Sequence, residues 1–368
     1  MINNSLCNFS NSVNEHNKEK KTKVVIVGAT GYVGIEILRI LQGHPGVEVT
    51  AVIGQSFVGQ KISNVYPNLR GIFDMECSAL DIDSLPELGD IYINCLPHGV
   101  SKDYIPLLLE KGKKIIDHGG DFRYKKADVY EKWYKTKHPL PELLEISVYG
   151  LPELYRHKIR NASLVANPGC YPTCSILGIA PLLANKIIDT KNIIIDAASG
   201  VSGAGRKTDL MYPFCECTEN FKAYGVATHR HTSEIEQELS ILAGEEIMVS
   251  FTPHLAPMKR GMLATIYANL KDNVKVSLDE LIELYREYYK GETFVRILDK
   301  GELPETKNVV GSNFIDISLV LDQRLNRVIV LSAIDNLGKG ASGQAVQDLN
   351  LMCGFPEHTA LTNPGLYL

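Results

Sequence analysis

The sequence predicts an α/β chain in two parts: a parallel sheet covered by helices on both faces, then a mixed α+β domain. Three observations predict it. Short β-branched runs alternate with helical stretches over residues 23–117. A glycine-rich turn joins the first run to the first helix. Beyond residue 170 the strands lengthen and several alternate with period two. The 368 residues suffice for two domains of about 100–200 residues each.

The elements follow in order. KVVIV at 23–27 is a strand running into Gly28. A helix is expected over 35–41, stopped by Gly43-His44-Pro45-Gly46, and a second strand over 47–53, ended by Gly54. That strand–turn–helix–strand run has the size of one βαβ unit. Further strands are expected at 90–96 and 114–117, with a helix at 101–111 between them. In the second part, helices are expected at 173–183, 234–242 and 278–289. Strands are expected at 192–197, 248–252, 262–270, 313–320 and 327–333. A last helix at 340–353 is positioned to pack back on the first domain. No internal repeat is visible.

Apolar residues make up 45 % and charged residues 22 %, an ordinary soluble profile. The net charge of −5, without a basic block, favours neither nucleic acid nor an anionic membrane as partner. No run reaches the ~18 consecutive apolar residues of a membrane helix. Residues 1–22 are rich in Asn, Ser and Lys and lack an apolar stretch, so they read as a disordered tail rather than a secretory signal. A transit peptide would carry more Arg and fewer acids. The eight cysteines lack paired spacing, and Cys215-x-Cys217 has no matching partner motif, so neither zinc nor disulfides are expected. Reduced thiols in a cytoplasmic protein fit better.

The turn Gly28-Ala29-Thr30-Gly31-Tyr32-Val33-Gly34 follows a strand and opens a helix, the setting of a dinucleotide-binding, Rossmann-type domain. Gly28 permits the tight turn, Gly31 lets backbone approach a pyrophosphate, and Gly34 allows close helix packing. The helix N-terminus offers N–H donors to phosphate. The spacing is G-x-x-G-x-x-G rather than G-x-G-x-x-G. A turn serving only strand-to-helix geometry is the plainer alternative. At the end of the second strand, Val52-Ile53-Gly54-Gln55-Ser56 lacks the carboxylate that holds the ribose of NAD. A hydroxyl at Ser56 tolerates a 2′-phosphate and Lys61 offers a counter-charge nearby, so NADP is preferred.

The chemistry centres on Asn167-Pro168-Gly169-Cys170-Tyr171-Pro172-Thr173. A free thiol has a pKa of ~8.5 and needs help to act as a nucleophile at neutral pH. Cys170 sits just before an expected helix, whose N-terminal N–H groups favour a thiolate. Rigid turn residues frame it on both sides. The other cysteines, Cys7, Cys77, Cys95, Cys174, Cys215, Cys217 and Cys353, read as packing or surface thiols. Downstream, His229 and His231 flank Arg230. In an extended stretch the two histidines face one way and Arg230 the other. Either histidine can serve as acid or base, and the residues leave that choice open. Thr232 or Ser233 is the expected cap of the following helix. Arg123, Arg206 and Arg260 each end or follow a glycine-bearing loop suited to an anion, and two of the three are expected in one cleft.

Seven ordered motifs carry a resemblance. They are GATGYVG at 28–34, DFR at 121–123, NPGCYPT at 167–173 and SGVSGAGRK at 199–207. HRHTSEIEQ at 229–237, FTPHLAPMKRG at 251–261 and DNLGKGASGQAVQ at 335–347 complete the set. From about Lys23 to the C-terminus the chain resembles the N-acetyl-gamma-glutamyl-phosphate reductase family. That family falls within the wider group containing aspartate-semialdehyde dehydrogenase. The resemblance implies an NADP-binding domain at 23–168, a catalytic and dimerisation domain at 169–334, and a segment at 335–368 returning to the first domain. It implies NADPH-dependent reduction of an acyl phosphate through a Cys170 thioester, with His231 ahead of His229 as acid/base. It implies substrate contacts from Arg123, Asn167, Arg206, Glu234 and Arg260. Cofactor contacts are implied from Gly28, Thr30, Gly31, Tyr32, Val33, Gly34, Ser56 and Asn336, with no metal. A homo-oligomer is implied, with the second domain at its interface.

One departure stands out. Many relatives read D-L-S-A-D-F-R where this chain has Asp117-His118-Gly119-Gly120-Asp121-Phe122-Arg123, so Gly119 replaces a serine and loosens the loop. A carrier-protein-bound aminoadipyl or glutamyl phosphate is the rival substrate. It would need a basic groove that the net acidity does not support. A non-catalytic, NADP-binding redox sensor is the rival of another class, and the intact Cys170, His229 and His231 argue against it.

Overall fold

The computed structural model describes residues 21–206 and 209–367. Of the expected tail at 1–22, residues 1–20 fall outside the described residues; Lys21 and Thr22 are described, and Thr22 already belongs to the first strand. The first sheet comprises β1 (Thr22–Val27), β2 (Val47–Ile53), β3 (Cys77–Ser78), β4 (Ile91–Asn94), β5 (Lys114–Asp117), β6 (Ser147–Tyr149) and β7 (Leu164–Ala166), in the order β3-β2-β1-β4-β5-β7-β6. All its pairings are parallel. The second sheet comprises β8 (Ile193–Gly200), β9 (Lys222–Ala223), β10 (Val249–Ala256), β11 (Met262–Asn269), β12 (Val295–Ile297), β13 (Ile315–Asp322) and β14 (Arg327–Ile334). Its order is β12-β13-β14-β11-β8-β10-β9, with mixed directions. The longer helices are α1 (Tyr32–Leu41), α2 (Ala127–Tyr134), α3 (Pro152–Arg160), α4 (Cys170–Ala184), α5 (His231–Ala243), α6 (Leu278–Tyr288) and α7 (Gly343–Cys353).

The first strand is buried because both faces of a parallel sheet are covered: Val24, Val25 and Ile26 are fully enclosed. The chain winds outward from β1 to β3, then returns to β4 on the other side. That leaves a switch point between β1 and β4, where ligands bind in open α/β sheets. Strands β6 and β7 and helices α2 and α3 were not visible in the sequence. The strands are three residues each, too short to show a period.

In the second sheet, residues alternate buried and half-buried along β11. The buried rows pack on α4, α5 and α6. Helix α4 is apolar nearly all round, as a helix passing through a core must be. Pro181 sits within it. Helix α7 returns to the first domain and packs on α1, α3 and β5.

The seam between α3 and α7 is polar and closed. Lys339 Nζ lies 2.7 Å from Glu153 Oε1, with both side chains fully buried, and 2.7 Å from Gln347 Oε1. Beside them, burial raises the pKa of Asp348 well above the carboxylate range. Its carboxyl is therefore protonated in the native state and ionised when unfolded. The unfolded chain binds fewer protons, so this group's stabilising contribution shrinks as pH rises above the ordinary carboxylate range. Asp348→Asn removes the titration. Its stability relative to the parent should improve with rising pH, by up to about 1.4 kcal/mol per pH unit. Urea unfolding of both proteins at several pH values tests this, and a pH-independent difference would refute it.

Among the described residues no helix is long and apolar enough to cross a membrane, and no group of three metal-ligating side chains occurs.

Candidate active site

Four loops at the C-terminal ends of parallel strands meet at one cleft of about 480 Å³. They follow β1 (Gly31, Tyr32, Val33), β4 (Cys95, Leu96), β5 (His118 to Gly120) and β7 (Pro168 to Cys170). The second domain closes it with the loops around Gly203 and Asn336. A smaller compartment of about 220 Å³ opens beside it and shares Cys170, His231 and Arg230.

Gly28 has φ +86°, and a Cβ there would meet Cys95 carbonyl carbon at 3.0 Å. At Gly34 a Cβ would lie 2.6 Å from Ala29 Cα, so helix and turn touch only because glycine is present. Gly31 is the N-cap of α1, with no side-chain cap and no acid in the first turn. The helix N–H groups thus remain available for an anion. Thr30 lies in this turn; its carbonyl accepts from Tyr66 Oη and Arg206. Ser56 is exposed in the loop after β2 and does not line the cleft.

Cys170 is the first residue of α4, three positions earlier than the expected helix start. The backbone N–H groups of Tyr171 and Cys170, at the helix start, favour its thiolate form. Burial nevertheless dominates and pushes the thiol up to about 11, so the helix N-terminus alone does not yield the expected thiolate. A base is required. Gly340, in the π-helical turn Gly338–Ser342, packs so closely that a Cβ there would lie 2.9 Å from Cys170 Cβ.

His231 Nε2 occupies the space a Gly169 Cβ would need, 2.5 Å from that position. Burial first, then His229 and the nearby arginines, pushes its pKa well below the usual histidine value. It is a neutral imidazole beside the thiol's turn, and its Nδ1 is buried without a partner. Burial also pushes His229 down to about 4. Its Nδ1 accepts the His231 backbone N–H at 3.1 Å. It lines only the smaller compartment, whereas His231 lines both.

Several expected positions are corrected. Helix α5 begins at His231, with Arg230 as its N-cap. The segment is therefore coiled, not extended, and Arg230 faces the cleft with both histidines. The cap expected at Thr232 or Ser233 misplaced this start; Ser233 Oγ instead donates to Arg230 O at 3.0 Å. Glu234 is spent within the protein. One oxygen accepts Gly169 N–H (2.9 Å) and Tyr149 Oη (2.8 Å), and the other pairs with Arg123 at 3.0 Å. It fixes the turn before Cys170. Asn167 is fully buried; its Nδ2 donates to Ala341 O and to His118 Nδ1, and its Oδ1 has no partner. Arg260 does not line the cleft, because Glu36 (2.8 Å) and Asp335 hold it as a tie between domains. Arg206 lines the cleft but is carried away from Cys170 to the first domain. Its guanidinium lies over the Phe57 and Tyr66 rings at 5.5 and 5.4 Å and donates to Thr30 O at 3.1 Å. Asn336 lines the cleft and ties two loops through Gly261 N–H and Ser202 Oγ.

Gly119 and Gly120 do not loosen their loop. A Cβ at Gly119 would meet Asp117 Oδ2 at 2.8 Å, and one at Gly120 would overlap the Tyr134 ring end. Close packing, not freedom, explains both. Sequence reasoning missed Arg230, Tyr134 and His118 as lining residues. His118 is neutral, burial pushing it down to about 3.

Comparisons agree with this layout. The semialdehyde dehydrogenase NAD-binding domain family matches residues 23–162, and the semialdehyde dehydrogenase dimerisation domain family matches residues 170–336. Aspartate semialdehyde dehydrogenase II from Vibrio cholerae shares the fold with a TM-score of 0.70 at 16 % identity, covering 91 % of this chain and 99 % of that one. The Candida albicans aspartate semialdehyde dehydrogenase with NADP gives 0.68 at 16 %, covering 91 % and 99 %. The N-acetyl-gamma-glutamyl-phosphate reductase of Acetivibrio thermocellus is 68 % identical over 345 residues, 94 % of this chain and 99 % of that protein. That of Desulforamulus reducens is 55 % identical with the same coverage. With both domains matched and identity this high across nearly the whole length, the chain belongs to the N-acetyl-gamma-glutamyl-phosphate reductase family.

Proposed function

We propose that the chain reduces N-acetyl-L-glutamyl 5-phosphate to N-acetyl-L-glutamate 5-semialdehyde with NADPH, releasing phosphate. One observation carries the reading. Cys170 begins a helix next to neutral His231 and opens on the same cleft as the glycine turn.

The residues present fit the cofactor. The uncapped α1 N-terminus and the Cβ-free approach at Gly28 suit a pyrophosphate. No carboxylate ends β2 to repel a 2′-phosphate. Arg206, stacked beside the Ser56–Phe57 loop, supplies the counter-charge that Lys61 was expected to give. Bound NADPH would supply hydride to a thioester carbonyl.

The chain's own residues do the rest. His231 takes the Cys170 proton as sulfur attacks the acyl carbon. The carbon–oxygen bond to phosphate breaks, and the proton leaves with phosphate. Backbone N–H groups at the α4 terminus stabilise the developing oxyanion. After reduction, the tetrahedral adduct breaks its carbon–sulfur bond, the aldehyde leaves, and the thiolate regains a solvent proton through His231. The thioester divides one difficult exchange into two easier ones. The half-buried rows of β11 and its neighbours, on the sheet face away from α4 to α6, are the surface for a homo-oligomer. The reduced thiol suits a cytoplasmic setting.

The test runs the reaction backwards. N-acetylglutamate semialdehyde, phosphate and NADP⁺ should yield NADPH absorbance, and folded protein without phosphate-dependent turnover would sink the proposal. Arg206→Met should raise the KM for NADP⁺ by roughly 10–100-fold, the loss of a charge-assisted contact, with little change for NAD⁺. An equal effect on both nucleotides would remove Arg206 from the 2′-phosphate.

A further inference from the structure

The proposed substrate carries two anions, the phosphoryl group at the reacting end and the α-carboxylate at the other, with a neutral acetamide beside the latter. Among the described residues three guanidinium groups line the main cleft: Arg123, Arg206 and Arg230. Two are committed. Arg123 is paired with Glu234 at 3.0 Å and donates its other nitrogen to His118 O at 2.9 Å. Arg206 lies against the first-domain rings.

Arg230 differs. Its side-chain partners are a ring nitrogen and an aromatic face: His98 Nδ1 at 3.1 Å and the Tyr134 ring, 4.7 Å from centroid to guanidinium carbon. No carboxylate pairs with it among the described residues. It borders both the main cleft and the smaller compartment, and among the described residues it is the one Lys or Arg lining the latter. That compartment otherwise offers polar groups such as Ser199, Tyr212 and Tyr224, with no Asp or Glu among the described residues.

The guanidinium rests on a fixed wall. Tyr134 stacks on Tyr130 with centroids 4.3 Å apart and 14° between planes. Tyr130 Oη donates to Asp121 Oδ1 at 2.6 Å. Gly120 leaves the space that the Tyr134 hydroxyl end fills. A guanidinium lying on an aromatic face keeps its edge N–H groups for a planar, two-oxygen acceptor. Arg230 is the N-cap directly before His231, and both line the same compartment as Cys170.

We infer that Arg230 binds the α-carboxylate of the acyl chain in the smaller compartment, leaving the phosphoryl group to the main cleft near Arg123. The inference rests on the reaction proposed above and adds its specificity determinant. It predicts that the enzyme selects acyl chains ending in a carboxylate, not acyl phosphates in general.

The reverse reaction separates the two anions, because phosphate and aldehyde are then distinct substrates. Arg230→Met should raise the KM for N-acetylglutamate semialdehyde by roughly 10–100-fold, with KM for phosphate and NADP⁺ changed less than about twofold. Arg230→Lys should fall between. The parent should strongly prefer N-acetylglutamate semialdehyde over 4-acetamidobutanal, which lacks only the carboxylate, and Arg230→Met should lose that preference. A general structural defect would weaken both aldehydes equally and overturn the assignment. A rise in the phosphate KM instead would move Arg230 to the phosphoryl subsite and overturn it too. If the parent shows phosphate-dependent turnover but the aldehyde preference survives in Arg230→Met, only this inference falls. If the parent shows no such turnover, both fall.

Discussion

Cys170→Ser should lower turnover by roughly 10⁴–10⁶-fold, the cost of removing a catalytic nucleophile. The substitution changes one atom and keeps the α4 N-terminus, whose N–H groups favour a negative charge on the side chain. The hydroxyl is far less acidic than the thiol, and burial that pushes the thiol up to about 11 would press harder on an alkoxide. NADP⁺ binding should persist, because no part of the turn Gly28 to Gly34 is touched. Cofactor binding by fluorescence, alongside turnover, separates lost chemistry from lost folding. Turnover within tenfold of the parent would show that no covalent thioester is needed.

The second large effect is at His231. A thiol with a pKa near 11 holds almost none of its population as thiolate at neutral pH, so attack depends on proton removal at the moment of reaction. His231 can accept that proton because burial keeps it neutral. His231→Asn should lower kcat by about 10²–10⁴-fold, the usual range for a general base, and slow alkylation of Cys170 by iodoacetamide. His229→Asn should cost much less, since its Nδ1 serves the His231 backbone and its ring packs edge-on to Tyr171. Equal losses in the two variants would reassign the base.

Much of the first domain was legible in the sequence because its signals are local. A β-branched run entering Gly28, a glycine with φ +86°, and a helix opening at Tyr32 form one continuous unit. The Cys170 frame was legible for the same reason: Gly169 as N-cap and prolines on both sides are read within seven residues. Arg230 was misread because a single period decided it. An extended stretch puts Arg230 opposite the histidines, but a helix starting at His231 turns all three into one compartment.

The arginines show where sequence reading stops. Arg123, Arg206 and Arg260 look alike as cations after glycine-bearing loops. Their fates depend on partners more than a hundred residues away in two cases and about 75 and 224 away in the third. A local pattern carries no record of such distant carboxylates and rings. By itself the sequence determined the α/β class, the dinucleotide turn and the rigid frame around Cys170, since each is encoded by neighbouring residues and backbone preference. Tertiary packing alone decided which cation meets which anion, which histidine touches the turn before Cys170, and how far burial moves the thiol. Charge pairing and desolvation are set by groups brought together in space, not in sequence.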